Sequence, residues 1–334
     1  MNVLVTGAGS RIGQAVIKLV KKSEFKTKLV VADCFVDSVG FYWAKKKYIL
    51  PNLLPLLKKD PEAKLWLNKI VSIIKIEKIK LIIPGIDFEL PLFSKYKSFL
   101  EKKYNLTCLV SDPNQIKIFN DKYNTYNFFI QNKISFPNTS LLKNKSSFLE
   151  NNQFPIVIKP RVGHTSQGVK TIKTLSELNK NITNKNNLLL QERLIGIEYT
   201  CGAVIKNKKV LSLIMLRRKL TNGNTSVAFN EFNEEIENYI NHIVINSDFY
   251  GPINFQLILT NKGPLLLEIN PRFSGTSYTR YLFGLNEFDV VYSMIKDTEY
   301  KIKKLKSGMV IKYIDDEYIS NSQFKHLNGP FSFK

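Results

Sequence analysis

The sequence predicts an α/β protein: an open parallel sheet in residues 1–111, then a hairpin-rich α+β part reaching about residue 300. Three observations carry this. In the first third, short apolar runs alternate with segments of helical periodicity, the pattern of βαβ units. Beyond residue 150, apolar runs follow one another across short polar turns such as "KNKK" and "NKG", the mark of antiparallel hairpins. The 334 residues, 44% hydrophobic and 23% charged, suffice for two or three domains with sizeable cores.

"NVLVTG" reads as a strand, "RIGQAVIKLVKK" as a helix and "KLVVAD" as a second strand ending at Asp33. "EAKLWLNKIVSIIKIEK" is an amphipathic helix, with "KLIIPG" and "CLVSD" as strands after it. Residues 112–135 are mainly helical, Asp112 and Pro113 suiting an N-cap and first turn. "FPIVIKPRVGHTSQGVKTIKT" reads as strand, glycine loop and strand, and "NLLLQERL" as a strand; residues 140–190 or so would form a small subdomain around that loop. "EYTCGAVIKNKKVLSLIMLRRKL" is a hairpin, "EEIENYINHIVIN" a helix and "INFQLILTNKGPLLLEIN" a second hairpin. The extension 301–334 holds one strand, "GMVIKYI".

No apolar run reaches the roughly 18–20 residues of a membrane span, and the N-terminus enters a strand without the pattern of a signal peptide. A cytoplasmic location is expected. Cys34, Cys108 and Cys201 are scattered, make no CxxC, and read as small buried hydrophobes. His164, His242 and His326 are equally scattered, which argues against a histidine zinc site. The net charge of +21 raises nucleic-acid binding, but the lysines are spread along the chain and no recognised nucleic-acid motif accompanies them. The expected partners are small molecules, with neither nucleic acid nor membrane.

"TGAGSRIG" places Gly7, Gly9 and Gly13 as GxGxxxG, not the GxGxxG of dinucleotide sites. Asp33 ends the second strand, where an acid could meet a ribose. Tyr42/Lys46 and Tyr292/Lys296 have the dehydrogenase spacing, but lie too close to the glycine turn and too near the chain end. A tight turn allowing close helix–sheet packing is the favoured reading.

Lys159 ends an apolar strand, where its stem can pack while its ammonium reaches a phosphate. Gly163 and Gly168 bracket a polar loop containing Ser166, able to offer N–H groups and hydroxyls to phosphates; an ordinary hairpin loop accounts for it equally well. In "LLLQERLIGIEYT", the backbone of Gln191–Leu194 could meet an adenine edge and Glu198 a ribose; two surface carboxylates, Glu192 and Glu198, are the plain alternative. In "LLLEINPRFSGT", Glu268, Asn270 and Arg272 recur at every second position and so share one strand face. Burying them without partners would be costly. A three-residue loop at "NKG" sets Gln256 opposite Glu268. Gln256, Glu268 and Asn270 then supply hard oxygen donors suited to Mg²⁺, and Arg272 a charge for a transferring phosphoryl group. A structural salt-bridge cluster is the competing explanation.

Taken in order, "NDKYNTYNFF", "VIKPRVGHTSQGV", "LLQERLIGIEY", "INFQLIL" and "LLLEINPRFSGT" resemble the ATP-grasp superfamily, in its carbamoyl-phosphate-synthase-like branch, over about residues 1–300. The resemblance implies a Rossmann-like N-terminal domain (1–111) that does not hold NAD, a two-subdomain ATP-grasp fold (112–300), and ATP with Mg²⁺, or Mn²⁺, as cofactors. It implies Lys122 and Lys159 on the ATP phosphates, the Gly163–Gly168 loop over them, Glu192 and the backbone near Leu194 at adenine, and Glu198 at ribose. Gln256, Glu268 and Asn270 would handle the metal, Glu268 bridging two ions, and Arg272 the acyl-phosphate transition state. The basic segment Arg217, Arg218, Lys219 would lie near the γ-phosphate, with Arg218 and Lys219 taken as catalytic. "IPGIDFELP" resembles a turn of the N-terminal domain facing the cleft, where Asp87 and Glu89 could bind a substrate amine; structural capping is the alternative. With one grasp unit, no glutaminase domain and no obvious second synthase half, a complete carbamoyl phosphate synthase is not expected. The implied activity is an ADP-forming carboxylate–amine ligase, with a homodimer as the assembly suggested by family likeness. A phosphotransferase on the same site, a non-catalytic nucleotide-binding module and an NAD(P) oxidoreductase are the rivals.

Overall fold

The computed structural model describes residues 1–163, 168–182 and 187–332. Its first sheet is parallel and five-stranded: β1 (Asn2–Val5), β2 (Lys28–Asp33), β3 (Lys46–Ile49), β4 (Leu81–Ile83) and β5 (Thr107–Cys108), ordered β3-β2-β1-β4-β5. Residue alternation decides its two faces. Leu4 and Ile82 pack with Trp66, Ile70 and Phe93 on one side. Val3 and Val5 pack with Ile12, Val16 and Leu19 on the other.

The helix Arg11–Lys21 starts at Ser10, whose hydroxyl accepts from Gly13 N at 2.9 Å. The glycine turn before it serves packing. Gly7 has φ +59°, and a Cβ on Gly13 would stand 2.0 Å from Gly7 O. Asp33 closes the same turn, accepting from Gly9 N at 2.7 Å and Cys34 N at 2.6 Å. The carboxylate considered for a ribose is thus committed to backbone.

The second sheet is small and antiparallel: β6 (Thr139–Leu141), β7 (Ile156–Pro160), β8 (Lys170–Ile172) and β9 (Leu188–Glu192), ordered β6-β9-β7-β8. It carries its own core of Leu142, Phe148, Ile156, Ile158, Ile172, Leu178 and Leu190.

The third sheet has six strands: β10 (Ile197–Lys206), β11 (Lys209–Thr221), β12 (Asn224–Asn230), β13 (Gly251–Thr260), β14 (Gly263–Asn270) and β15 (Met309–Ile311), ordered β14-β13-β10-β11-β12-β15. The helix Glu234–Ile245 covers one face through Ile236, Ile240 and Ile243. On the other face Val204, Ile214 and Leu216 join Phe288 and the apolar side of the parallel sheet in one continuous core.

The β10–β11 turn at Asn207-Lys208 has φ of 51° and 61°, as a two-residue hairpin with both central residues left-handed requires. The "NKG" hairpin differs from expectation in its loop. Thr260 pairs with Gly263, so the loop is two residues, Asn261-Lys262. A bulge between Gln256 and Leu257 then shifts the register by one and restores the expected Gln256–Glu268 pair. "CLVSD" is strand only through Cys108, because Val110 N turns back onto Cys108 O at 2.8 Å. Strand β12 arises from what reads in sequence as a loose basic segment; its hairpin turns at Asn222-Gly223, both at positive φ.

Candidate active site

The floor of the site is one face of the six-stranded sheet. Alternation along β10, β11, β13 and β14 turns Glu198, Arg218, Gln256 and Glu268 to the same side. The small sheet roofs it through Lys159 of β7 and Gln191 of β9, which come from neighbouring antiparallel strands. A cavity of about 210 Å³ lies between, lined by Lys122, Lys159, Gly163, Glu192, Leu194, Glu198, Arg218, Gln256 and Glu268, among others.

Lys159 is 6% exposed, and its ammonium donates to Gln191 Oε1 at 2.8 Å. Gln191 in turn donates to Thr139 Oγ1 at 2.8 Å, which fixes the amide. Burial, and then the nearby Lys122, pull the Lys159 pKa from 10.5 down to about 8, with Glu268 opposing. Lys122 opens the helix Lys122–Gln131, whose N-cap is Asp121. Its ammonium donates to Gly163 O at 3.0 Å and stands 3.5 Å from Glu268 Oε1. Asp121 also receives a forked pair from Arg161, at 2.6 and 3.3 Å. That fork ties the helix start to the end of β7.

Arg218 is the hub of the floor. It donates to Glu198 Oε1 at 2.5 and 3.2 Å, to Gln256 Oε1 at 2.8 Å and to Thr225 Oγ1 at 3.3 Å. Lys219 does not reach the cavity: it follows Arg218 on β11, is exposed, and turns to the opposite face. Arg217 also lies on that opposite face, pairing with Glu231 and stacking 4.3 Å from the Phe229 ring. Glu192 borders the cavity while accepting from Asn138 N at 2.8 Å. Ser166 lies outside the described residues, so only Gly163 and Gly168 of the expected loop can be placed.

Asn270 and Arg272 continue the floor beyond Glu268. Asn270 Oδ1 accepts from Arg272 Nη2 at 3.1 Å, while its buried Nδ2 has no hydrogen-bond partner among the described residues. Arg272 Nε donates to Asp87 Oδ1 at 2.6 Å, joining the grasp to the N-terminal sheet. Glu89 faces inward instead. It is 3% exposed, accepts from Thr6 Oγ1 at 2.6 Å, and burial pushes its pKa up to about 8. A neutral buried Glu89 hydrogen-bonded to the glycine-turn strand does not face a substrate amine.

The oxygen set fits a hard divalent cation in kind. Gln256, Glu268 and Asn270 each present an oxygen to a positive group of the protein, Arg218, Lys122 and Arg272 respectively. Among the described residues no cluster of three or more His, Cys, Asp or Glu could hold a metal unaided. One carboxylate and two amides need phosphate oxygens to complete such a shell.

Residues 119–276 match the ATP-grasp domain, and residues 3–106 match the N-terminal domain of PylC-like proteins. The chain carries an ATP-grasp domain. A curated relative, an uncharacterised protein of Mycoplasma genitalium, is 33% identical over 121 residues. That match covers 35% of this chain and spans only 39% of the relative's length. Among solved structures, N5-carboxyaminoimidazole synthetase from Staphylococcus aureus in complex with ADP superposes with a TM-score of 0.74 at 15% identity. The match covers 94% of this chain and 82% of that one. The Aspergillus clavatus carboxyaminoimidazole ribonucleotide synthase with ATP gives 0.72 at 13% identity, covering 93% and 81%. L-amino acid ligase from Bacillus licheniformis gives 0.65 at 17%, covering 88% and 74%. At such identities the likeness concerns the ATP-grasp fold. Among the described residues, no helix of this ATP-grasp protein is long and apolar enough to cross a membrane.

Sequence reasoning missed Gln191 as the partner of Lys159, the Asp121–Arg161 fork and the Asp87–Arg272 bridge. Asp121 had a usable signal, an acid directly before a helix of aromatic periodicity. The bridge had none, because its partners are 185 residues apart.

Proposed function

We propose that the protein is an ADP-forming ligase that joins a carboxylate to an amine through an acyl phosphate at the expense of ATP. The observation that carries this reading is the gathering of Lys122, Lys159, Arg218, Glu198, Gln256 and Glu268 around one cavity between the two grasp sheets. The names of two structural neighbours, a synthetase in complex with ADP and an L-amino acid ligase, support it.

In this reading Lys122 and Lys159 hold the ATP phosphates, with Gln191 orienting Lys159. The strand end at Glu192–Leu194 takes the adenine edge and Glu198 the ribose hydroxyls. Gln256, Glu268 and Asn270 would hold Mg²⁺, which supplies charge neutralisation on the phosphates when bound. A substrate carboxylate oxygen attacks the γ-phosphorus, the bond to the β,γ-bridging oxygen breaks, and ADP leaves with that electron pair. Arg272 and Arg218 offset charge on the phosphoryl group in flight. The amine then attacks the acyl carbon. The bond to the phosphate oxygen breaks, orthophosphate leaves, and the amine nitrogen gives up a proton. Asp87, clasping Arg272, is its positioning residue.

The test is release of ADP, AMP and orthophosphate from MgATP with pooled carboxylates, amino acids and amino sugars, using Glu268→Ala as the blank. ADP with equal orthophosphate, only when a carboxylate and an amine are both present, is expected. ADP without orthophosphate would replace the ligase by a phosphotransferase. Turnover unchanged in Glu268→Ala would overturn the site.

A further inference from the structure

Beyond the nucleotide cavity, the same sheet face continues onto a strand that comes from the C-terminal extension. Arg218 pairs with Ala228 of β12, and Ala228 pairs with Val310 of β15. Lys312 is two residues past Val310, and its N–H extends the ladder to Ser226 O at 2.8 Å. It therefore leaves the sheet on the side of Arg218 and the cavity. Its ammonium reaches Gly275 O at 2.8 Å, in the loop that follows Arg272.

Two more cations flank the same segment. Gly275 lies against Arg11, an added Cβ standing 3.3 Å from Arg11 Cβ. Lys18, seven residues on along the same helix, sits over the rings of Tyr278 at 5.2 Å and Trp43 at 4.8 Å. Among the described residues, Arg11, Lys18 and Lys312 form no ion pair, although the buried Arg280 beside them is matched by Glu287 at 2.9 Å. Lys312 is exposed as a residue, so its lowered pKa, caused by desolvation and then by Arg11, Arg280, Lys18 and Arg218, only supports the contacts around its ammonium. Glu317 accepts from Trp43 Nε1 at 3.2 Å, on the ring beneath Lys18, but makes no ion pair with the three cations, and like charges brought together in this way raise the local potential and favour an anion.

We propose that Lys312, Arg11 and Lys18 form a subsite for an anionic group on one of the substrates, a phosphate or a second carboxylate, held between the N-terminal helix and the C-terminal extension. This rests on the ligase reading and adds a substrate class to it: the molecule joined at Arg272 carries a further negative charge remote from the reacting atoms. Arg11 supplies a planar fork for oxyanions and the two lysines supply point charges. The extension thereby becomes part of the binding surface.

The experiment fills the nucleotide site of the whole chain with Mg²⁺ and a β,γ-imido ATP analogue, then titrates inorganic phosphate or succinate by calorimetry. Saturable binding of at least one anion is expected, weakened at least tenfold in Lys312→Gln and in Arg11→Gln, and retained in Lys312→Arg. Affinity for the ATP analogue should stay within twofold. Preference for phosphate would mark a phosphorylated substrate, and preference for succinate a polycarboxylate. Absence of anion binding, or equal binding in wild type and both Gln variants, would overturn the subsite. Failure of the first titration, that of the ATP analogue, would overturn the ligase reading and the subsite with it, and is recognised by that titration alone.

Discussion

Replacing Lys159 by Met should stabilise the ligand-free protein while weakening nucleotide binding. Lys159 is 6% exposed, and its pKa stands at about 8 against an ordinary 10.5. That difference corresponds to ~3 kcal/mol of destabilisation from keeping the buried ammonium charged below pH 8. Met fills a similar volume without the charge. It forfeits the hydrogen bond to Gln191 Oε1, leaving that buried oxygen unsatisfied at about 1–2 kcal/mol. The net expectation is a gain of about 1–2 kcal/mol at pH 7, read from urea midpoints at constant slope.

The sign of the pH dependence follows from proton counts. Between about pH 8 and 10.5 the unfolded lysine is protonated and the native one is not, so wild-type stability rises with pH relative to the variant. The variant's advantage should shrink across that window and reverse near its upper end. Nucleotide affinity should fall about 10- to 100-fold, the worth of a charge-assisted hydrogen bond. A variant less stable than wild type at pH 7, with a gap that does not change with pH, would show that the buried Lys159 ammonium does not destabilise the ligand-free protein.

Arg218→Ala should lower kcat by about 100-fold or more, in the range for removing a group that stabilises transition-state charge, whereas Lys219→Ala, on the exposed opposite face, should leave steady-state rates within twofold. Asp87→Asn should lower kcat about tenfold by loosening Arg272, with the nucleotide dissociation constant unchanged in equilibrium titration. Glu89→Gln, which keeps a neutral hydrogen-bonding group, should stabilise the protein at pH 8 by about 4 kcal/mol. Glu89 has a folded pKa of about 8, so wild-type stability falls as pH rises from 4.5 toward 8, and the variant should lack that fall in thermal melts.

Much of the fold was legible because its periodicities are local. "KLVVAD" and "EEIENYINHIVIN" became the strand and helix their patterns require. The facing of Glu268 and Gln256 was legible too, although by a different route: the loop is one residue shorter, and a bulge compensates. Bulges leave little trace in a single sequence, since they depend on how two strands twist together. Strand β12 was hidden because its short run "NTSVAFN" mixes polar and apolar residues at a sheet position near the edge. The side chains around the cavity were readable as types, but their pairings were not. Arg218 could be told from Lys219 only once strand alternation was anchored to neighbours. Asp87, Lys312 and Arg11 come to one place through tertiary contacts that no spacing encodes.

The most direct measurement follows ¹⁸O from the carboxylate into orthophosphate. With MgATP, an amine and a substrate whose carboxylate carries ¹⁸O in both oxygens, one ¹⁸O is expected in each orthophosphate released, and none in a Glu268→Ala control that does not turn over. Unlabelled orthophosphate formed alongside the amide would contradict the acyl phosphate and the chemistry assigned to this site.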